Sequence, residues 1–241
     1  MDITKFLSPP DAARAQRTIA KLLRHGDEPL TLTGGLATEI HRIREGFDAE
    51  IRPLNDIDLL ADSFEAIPST LSLDFLFRHV HPHDRPGKTL LQCVDAETAV
   101  RMDVFRSYGG VTARALSIKI ADSNMRIISV EDLAARMARL CMDLVRGTPV
   151  PAKHARDYLR LLPLVDIGGL DAAWCEHRKP DHPASFAVVS NLLSELIATR
   201  NELLIVPEYS HNTNETCTRC EATSAFPLAD ANRILCLLGY C

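Results

Sequence analysis

The sequence has few aromatic side chains, no long apolar run and no surplus of basic residues. Aromatic residues make up 5% of the 241 residues, which argues against a zinc-dependent nucleic-acid module that stacks bases on exposed rings. There are 27 basic and 32 acidic residues, giving a formal net charge of -5, so no domain-wide basic field is expected to hold duplex nucleic acid. No apolar stretch approaches the roughly 18 to 20 residues of a membrane span, and we expect no membrane association.

The composition is otherwise that of a globular chain, with 46% hydrophobic and 24% charged residues. Its length allows one elaborated domain, or one domain with a smaller appendage. The first residues lack the basic and apolar regions of a signal peptide, so we expect a cytoplasmic protein. Seven cysteines are then more consistent with metal ligation or buried thiols than with a disulfide framework.

The first half of the chain has the pattern of an α/β domain. Ser8, followed by two prolines and an acid, indicates the start of a helix that continues to about Leu23. A short strand at residues 30–33 leads through Gly34 and Gly35 into a second helix ending near residue 45. Further strands are predicted in this half from period-two alternation and turn signals, at residues 56–60, 75–80, 89–94 and 100–105.

The second half has the pattern of a helical region. Ser129 and the acids after it resemble a capping box, and an apolar stripe at helical spacing follows as far as Gly147. Two more helices are predicted at residues 153–162 and 183–204. We therefore expect three parts, namely an α/β domain (residues 1–125), a helical region (126–205) and a small cysteine-rich tail (206–241).

Three carboxylates are expected to meet on one face of the sheet. Asp56 and Asp58 lie two apart on a predicted strand and leave it on the same side, while Ile57 and Leu59 point into the opposite, apolar layer. Asp103 lies on another strand and shares a face with its neighbours Arg101 and Phe105. Because clustered acids repel one another unless a cation lies between them, the pattern predicts a Mg²⁺ or Mn²⁺ site.

The Gly34–Gly35 turn supplies a second part of the predicted site. Glycine lets the backbone approach a phosphate closely, and the helix that follows presents unpaired N–H groups and the positive end of its dipole. A triphosphate bridged between this turn and metal-bound Asp56 and Asp58 can be attacked at its α-phosphorus. Asp103 would hold a second metal or activate an acceptor hydroxyl.

These motifs, in this order, resemble the polymerase-β-like nucleotidyltransferase superfamily. The matching segments are residues 32–35 (LTGG), 55–60 (NDIDLL) and 102–104 (MDV). Within that superfamily, the chain is most similar to minimal nucleotidyltransferases of the AbiEii-like type over roughly residues 28–166. That resemblance implies nucleotide-binding roles for Thr33, Gly34, Gly35, Arg52 and Lys153, the last beside a helical motif at residues 154–157. The sequence departs from the family pattern in the gap between Gly35 and Asp56, which is longer than usual, so we expect an extended helix or loop there.

The sequence therefore predicts a metal-dependent nucleotidyltransferase that moves a nucleoside monophosphate from an NTP to an acceptor hydroxyl. The acceptor is left open between RNA, a protein and a small molecule. The alternative is a catalytically silent member of the fold that binds a nucleotide or a protein partner through the same cleft.

The last part of the chain contains a C-x-x-C pair, Cys217 and Cys220, followed by Cys236 and Cys241. This approaches a four-thiolate zinc pattern and predicts a structural Zn²⁺ site in the tail. Cys236 could instead be apolar filler, in which case His211, Cys175 or His177 is the alternative fourth ligand. The competing interpretation is a tail with reduced thiols, or a disulfide between Cys217 and Cys220.

Overall fold

The computed structural model describes residues 1–26, 30–63, 67–78, 90–95, 97–120, 123–166 and 170–206. The predicted α/β fold, a mixed sheet with helices packed on it and a helical region after it, is confirmed. The cysteine tail from residue 207 onward, with its predicted zinc ligands Cys217, Cys220, Cys236 and Cys241, lies outside the described residues.

Seven strands form the main sheet. They are β1 (Thr31–Leu32), β2 (Asp56–Ala61), β3 (Phe75–Arg78), β4 (Leu90–Asp95), β5 (Arg101–Arg106), β6 (Leu116–Ile120) and β7 (Ser123–Ile127). Their order across the sheet is β3-β4-β5-β2-β1-β7-β6. Only the β2–β5 and β1–β7 pairs are parallel, and the other pairs are antiparallel. The two strands that carry the acids are therefore direct neighbours running in the same direction.

Six α-helices are described: α1 (Pro9–Leu23), α2 (Gly34–Arg44), α3 (Val130–Cys141), α4 (Ala152–Leu161), α5 (Leu170–His177) and α6 (Phe186–Thr199). A short parallel pair, β8 (Val150–Pro151) and β9 (Leu204–Ile205), joins the segment just before α4 to the segment after α6. No helix in the described ranges is both long and apolar enough to cross a membrane.

Local signals explain where several helices begin and end. The Ser8 hydroxyl accepts a hydrogen bond from the Asp11 amide and caps α1. Ser129 caps α3 in the same way through the Asp132 amide. The extension of α3 as a 3-10 turn ends at Gly147, which has a φ of 70° in the left-handed region that glycine adopts without strain.

The core lies mainly on the side of β2 and β5 opposite the acids. Ile57, Leu59, Met102 and Val104 are all buried, as their alternation with the acids predicts. The Arg136 side chain of α3 reaches the face that carries the acids, where its guanidinium lies 5.1 Å from the centre of the Phe105 ring. Residues 45–55 connect α2 to β2 without forming a helix or strand, in line with the long connection expected before the acids.

Candidate active site on strands β2 and β5

The parallel register of β2 and β5 brings the predicted acids together. Asp56 stands opposite Arg101, and Asp58 stands opposite Asp103. One carboxylate oxygen from each of Asp56, Asp58 and Asp103 lies within 4.8 Å of the other two. We call these three residues the acidic cluster. Three carboxylates at this spacing are a donor set that suits a hard divalent cation such as Mg²⁺ or Mn²⁺.

The Gly34 turn packs directly against this cluster. The Thr33 amide donates to the Asp58 carbonyl at 2.9 Å, which fixes the start of α2 next to β2. Gly34 has a φ of 69°, and a Cβ built on it would stand 2.7 Å from Cγ of Asp58. Glycine is thus required here both by the backbone conformation and by the closeness of the Asp58 side chain.

The N-terminus of α2 has no side-chain cap. The Thr33 side chain makes no capping hydrogen bond, and its hydroxyl is buried without a hydrogen-bond partner in the described part of the chain. The first amides of α2 and the positive end of its dipole therefore remain available at the edge of the acidic cluster. Such a terminus is an anion site of the kind that phosphate groups occupy.

The pKa of Asp58 is raised first by burial and then by the like charges around it. Burial raises the pKa of Asp58 to about 7, and the neighbouring Asp56 and Asp103 charges act in the same direction. The charges of Arg136 and Lys153 oppose this increase in pKa, which places both cations within electrostatic range of Asp58. A bound divalent cation would favour the ionised form in the same way, and more strongly.

Lys153, predicted to bind nucleotide, lies exposed on α4. The next residue, His154, is half-buried, and burial together with the Lys153 charge lowers its pKa to about 4. His154 is therefore neutral at pH 7. The positive charge that α4 contributes beside the cluster is that of Lys153.

Arg52, also predicted to bind nucleotide, lies behind the glycine turn. Its Nη1 is 3.4 Å from a Cβ built on Gly35. The guanidinium pairs with Glu39 of α2, where Nε is 2.7 Å from Oε1, and with Asp157 of α4 through both terminal nitrogens. Two carboxylates thus occupy the Arg52 guanidinium, and it joins α2 to α4.

Two cations at the site were not among the predicted site residues. Arg136 of α3 is half-buried over Phe105, which shares the face of the cluster. Arg101 of β5 forms ion pairs with Asp56 and Asp103. Period-two alternation already places Arg101 on the face of Asp103, so the sequence carried a signal for it. Arg136 had no such signal, since only the tertiary position of α3 brings its side chain to Phe105.

Two of the alternative zinc ligands, His177 and Cys175, lie in the described residues, and they differ in exposure. His177 has both ring nitrogens engaged, Nδ1 with the Tyr108 hydroxyl at 2.6 Å and Nε2 with Asp132 at 3.1 Å. Both His177 nitrogens therefore take part in a hydrogen-bond network that joins α3, α5 and Tyr108. Cys175 is an exposed free thiol.

No family model matches the sequence, and no curated protein sequence matches it. Several solved structures are similar in architecture. One is an antigenic nucleotidyltransferase-like protein from Paracoccidioides brasiliensis (TM-score 0.48, 15% identity, covering 82% of this chain and 94% of that one). A second is the antibiotic-resistance factor ANT(2'')-Ia (TM-score 0.47, 16% identity, 84% and 100%). A third is JHP933 from Helicobacter pylori (TM-score 0.43, 12% identity, 81% and 97%).

Proposed function

We propose that the chain is a metal-dependent nucleotidyltransferase of the AbiEii-like type, which transfers a nucleoside monophosphate from an NTP to an acceptor hydroxyl. The observation that carries this proposal is the contact between the acidic cluster and the uncapped N-terminus of α2 at Gly34. A cation-binding donor set and an anion-binding helix end lie side by side, which is what a metal–triphosphate complex requires.

Each residue has a role in this proposal. Asp56 and Asp58 would hold Mg²⁺ or Mn²⁺, and Asp103 would complete a second metal position or accept the proton of the acceptor hydroxyl. The amides at Gly34 and Gly35 would bind phosphate oxygens, with Thr33 ordering the turn. Arg136 and Lys153 would offset the triphosphate charge, while Arg52 would support the turn from behind. The metal, when bound, neutralises charge on the phosphates.

The reaction forms one bond and breaks another at the α-phosphorus. The acceptor oxygen forms a bond to that phosphorus, and the bond to the bridging oxygen of the β-phosphate breaks, releasing pyrophosphate. The proton of the acceptor hydroxyl passes to a base, for which Asp103 is the candidate. The acceptor stays open between RNA, a protein and a small molecule.

Nucleotide binding tests the two-acid site directly. In calorimetric titrations, Mg²⁺ or Mn²⁺ should raise NTP affinity in the wild type and fail to do so in the Asp56→Ala, Asp58→Ala double variant. A Glu195→Ala, Glu202→Ala double variant removes the same charge at exposed positions of the helical region and should behave as the wild type. Equal metal-dependent binding by all three proteins would reject the site.

The ion pairs of Arg101 with Asp56 and Asp103 favour a second candidate, a catalytically silent protein whose cluster is neutralised internally. Asp103→Asn separates the two candidates. In the enzyme it should reduce transfer by about a thousandfold, roughly 4 kcal/mol of transition-state stabilisation, while NTP binding changes only a few-fold. Transfer is followed as pyrophosphate release and as label moved from each NTP to fractions of a cell extract. A silent protein releases no pyrophosphate in either form.

A further inference from the structure

Arg101 places a guanidinium among the carboxylates that are proposed to hold the metal. It stands opposite Asp56 in the β2–β5 register and forms an ion pair with that carboxylate through Nη2. Its Nε also lies 3.3 Å from Oδ1 of Asp103. Arg101 therefore bridges two of the three members of the acidic cluster, one on each strand.

One end of the bridge is a hydrogen bond, from Nη2 of Arg101 to the Asp56 carboxylate, and the other end is not. Nε of Arg101 is buried, and its contact with Asp103 is an ion pair without hydrogen-bond geometry. The Arg101 side chain is 42% exposed, whereas Arg52, which is fixed between Glu39 and Asp157, is 15% exposed. A partly exposed guanidinium that keeps one hydrogen bond is held less firmly than Arg52, so Arg101 can leave the carboxylates when a stronger cation arrives.

Repulsion among the three carboxylates explains why a positively charged side chain lies beside them in the metal-free protein. Asp56, Asp58 and Asp103 repel one another within 4.8 Å, and one positive charge among them relieves part of that repulsion. The same oxygens cannot serve the guanidinium and a divalent cation at once, because both need the carboxylate lone pairs and the two cations repel each other.

We propose that Arg101 is an internal substitute for the metal, which occupies the acidic cluster at rest and must be displaced before a divalent cation binds. Arg101 then lowers metal affinity while it stabilises the metal-free fold. This inference rests on the proposed function, since it assumes that the cluster binds a metal.

The test measures Mn²⁺ binding to the full chain without nucleotide, by electron paramagnetic resonance of the free ion. Arg101→Gln should bind Mn²⁺ at least about tenfold more tightly than the wild type. Arg101→Lys, which keeps the charge but loses the two-carboxylate bridge, should fall between the two. Arg106→Gln is the matched control, because it removes the same charge from the exposed far end of the same strand, and its affinity should stay within twofold of the wild type.

Thermal unfolding supplies a second measurement on the same proteins. Without metal, Arg101→Gln should melt below the wild type, because the cluster has lost its counter-charge. With saturating Mn²⁺, the melting temperatures of the two proteins should converge. A purely structural Arg101 would instead lower the melting temperature equally with and without metal, which would overturn the inference.

The binding outcomes also separate this inference from the proposed function. Unchanged or weaker Mn²⁺ binding by Arg101→Gln, beside clear binding by the wild type, overturns the role of Arg101 and leaves the metal site standing. If weaker NTP binding accompanies it, Arg101 is a phosphate contact. No Mn²⁺ binding by any of the proteins contradicts the proposed function, and the inference with it.

Discussion

Asp58 is half-buried and Asp132 is fully buried, and their surroundings have opposite effects on them. Asp132, near the start of α3, receives hydrogen bonds from Arg114 at 2.7 and 2.9 Å and from the Ser129 hydroxyl at 2.8 Å, and it also pairs with His177. Burial alone would raise the pKa of Asp132, but these hydrogen bonds bring it to about 2. Its charge is fully satisfied within the protein.

Asp58 has no comparable set of partners. Its nearest charged neighbours include the like charges of Asp56 and Asp103, and its pKa is raised to about 7, first by burial and then by those charges. Within the described residues, the Asp132 charge is satisfied by hydrogen bonds and the Asp58 charge is not satisfied in the same way. Three acids this close together favour a ligand that supplies positive charge beyond that of Arg101.

The Asp132 region should give the largest stability effect. We expect Asp132→Asn to lower the free energy of unfolding by about 3 to 5 kcal/mol at pH 7, because the hydrogen bonds from Arg114 and Ser129 and the contact with His177 would lose their buried, charged acceptor. A depressed native pKa stabilises the fold above the unfolded value near 3.8, and this contribution is lost as pH falls toward 2. Urea unfolding should therefore show the deficit shrinking below about pH 4.

The control for that variant is Asp143→Asn. Asp143 is 40% exposed and pairs with Lys179 at 3.6 Å. Exposed pairs of this kind contribute less than about 1 kcal/mol. A loss from Asp143→Asn as large as that from Asp132→Asn would show that burial and multiple hydrogen bonds do not distinguish the two sites.

Alanine variants of two glycines would isolate the effect of the contact between Gly34 and Asp58. Gly34 and Gly46 both have positive φ values, 69° and 79°, but a Cβ on Gly46 meets nothing within 4 Å. Gly46→Ala should cost about 1 kcal/mol of backbone strain, and Gly34→Ala about 2 to 3 kcal/mol because the new methyl group also displaces the Asp58 carboxylate. The measurement is chemical denaturation of both variants, and equal losses would rule out the steric contribution.

Asp58→Asn should give a smaller change than Gly34→Ala, with the opposite sign. Without metal at pH 8, we expect a gain of about 1 to 2 kcal/mol, since a neutral amide removes the repulsion. A raised native pKa means that the wild-type contribution is present below about 3.8 and is lost as pH rises toward 7. The advantage of the variant should therefore grow across that pH range.

Saturating Mn²⁺ should reverse this order, because the metal stabilises the wild type by binding its folded form and Asp58→Asn has lost a ligand. A variant that remains the more stable protein with metal present would contradict the assignment of Asp58 as a ligand.

Much of the fold was predictable because its signals are local. Ser8 and Ser129 mark helix starts within one residue, and the alternation at residues 56–61 and 101–106 marks two strands. The antiparallel pair Leu116–Ile120 and Ser123–Ile127 was missed, although residues 116–120 alternate apolar and polar side chains. The helix Leu170–His177 was also missed, because it is short and follows a Gly-Gly pair.

The sequence by itself determined which residues carry the acids, which face of each strand they leave from, and where a glycine turn precedes a helix, because alternation and capping act over a few neighbouring residues. Only the tertiary structure decided that β2 and β5 lie side by side in parallel, with Asp58 opposite Asp103. It also decided which arginines lie beside those acids and which pair with other carboxylates. Arg101 lies in the cluster, Arg136 arrives on α3, and Arg52 is held by Glu39 and Asp157. Charge pairing is set by distances between side chains far apart in the chain, and packing alone fixes those distances.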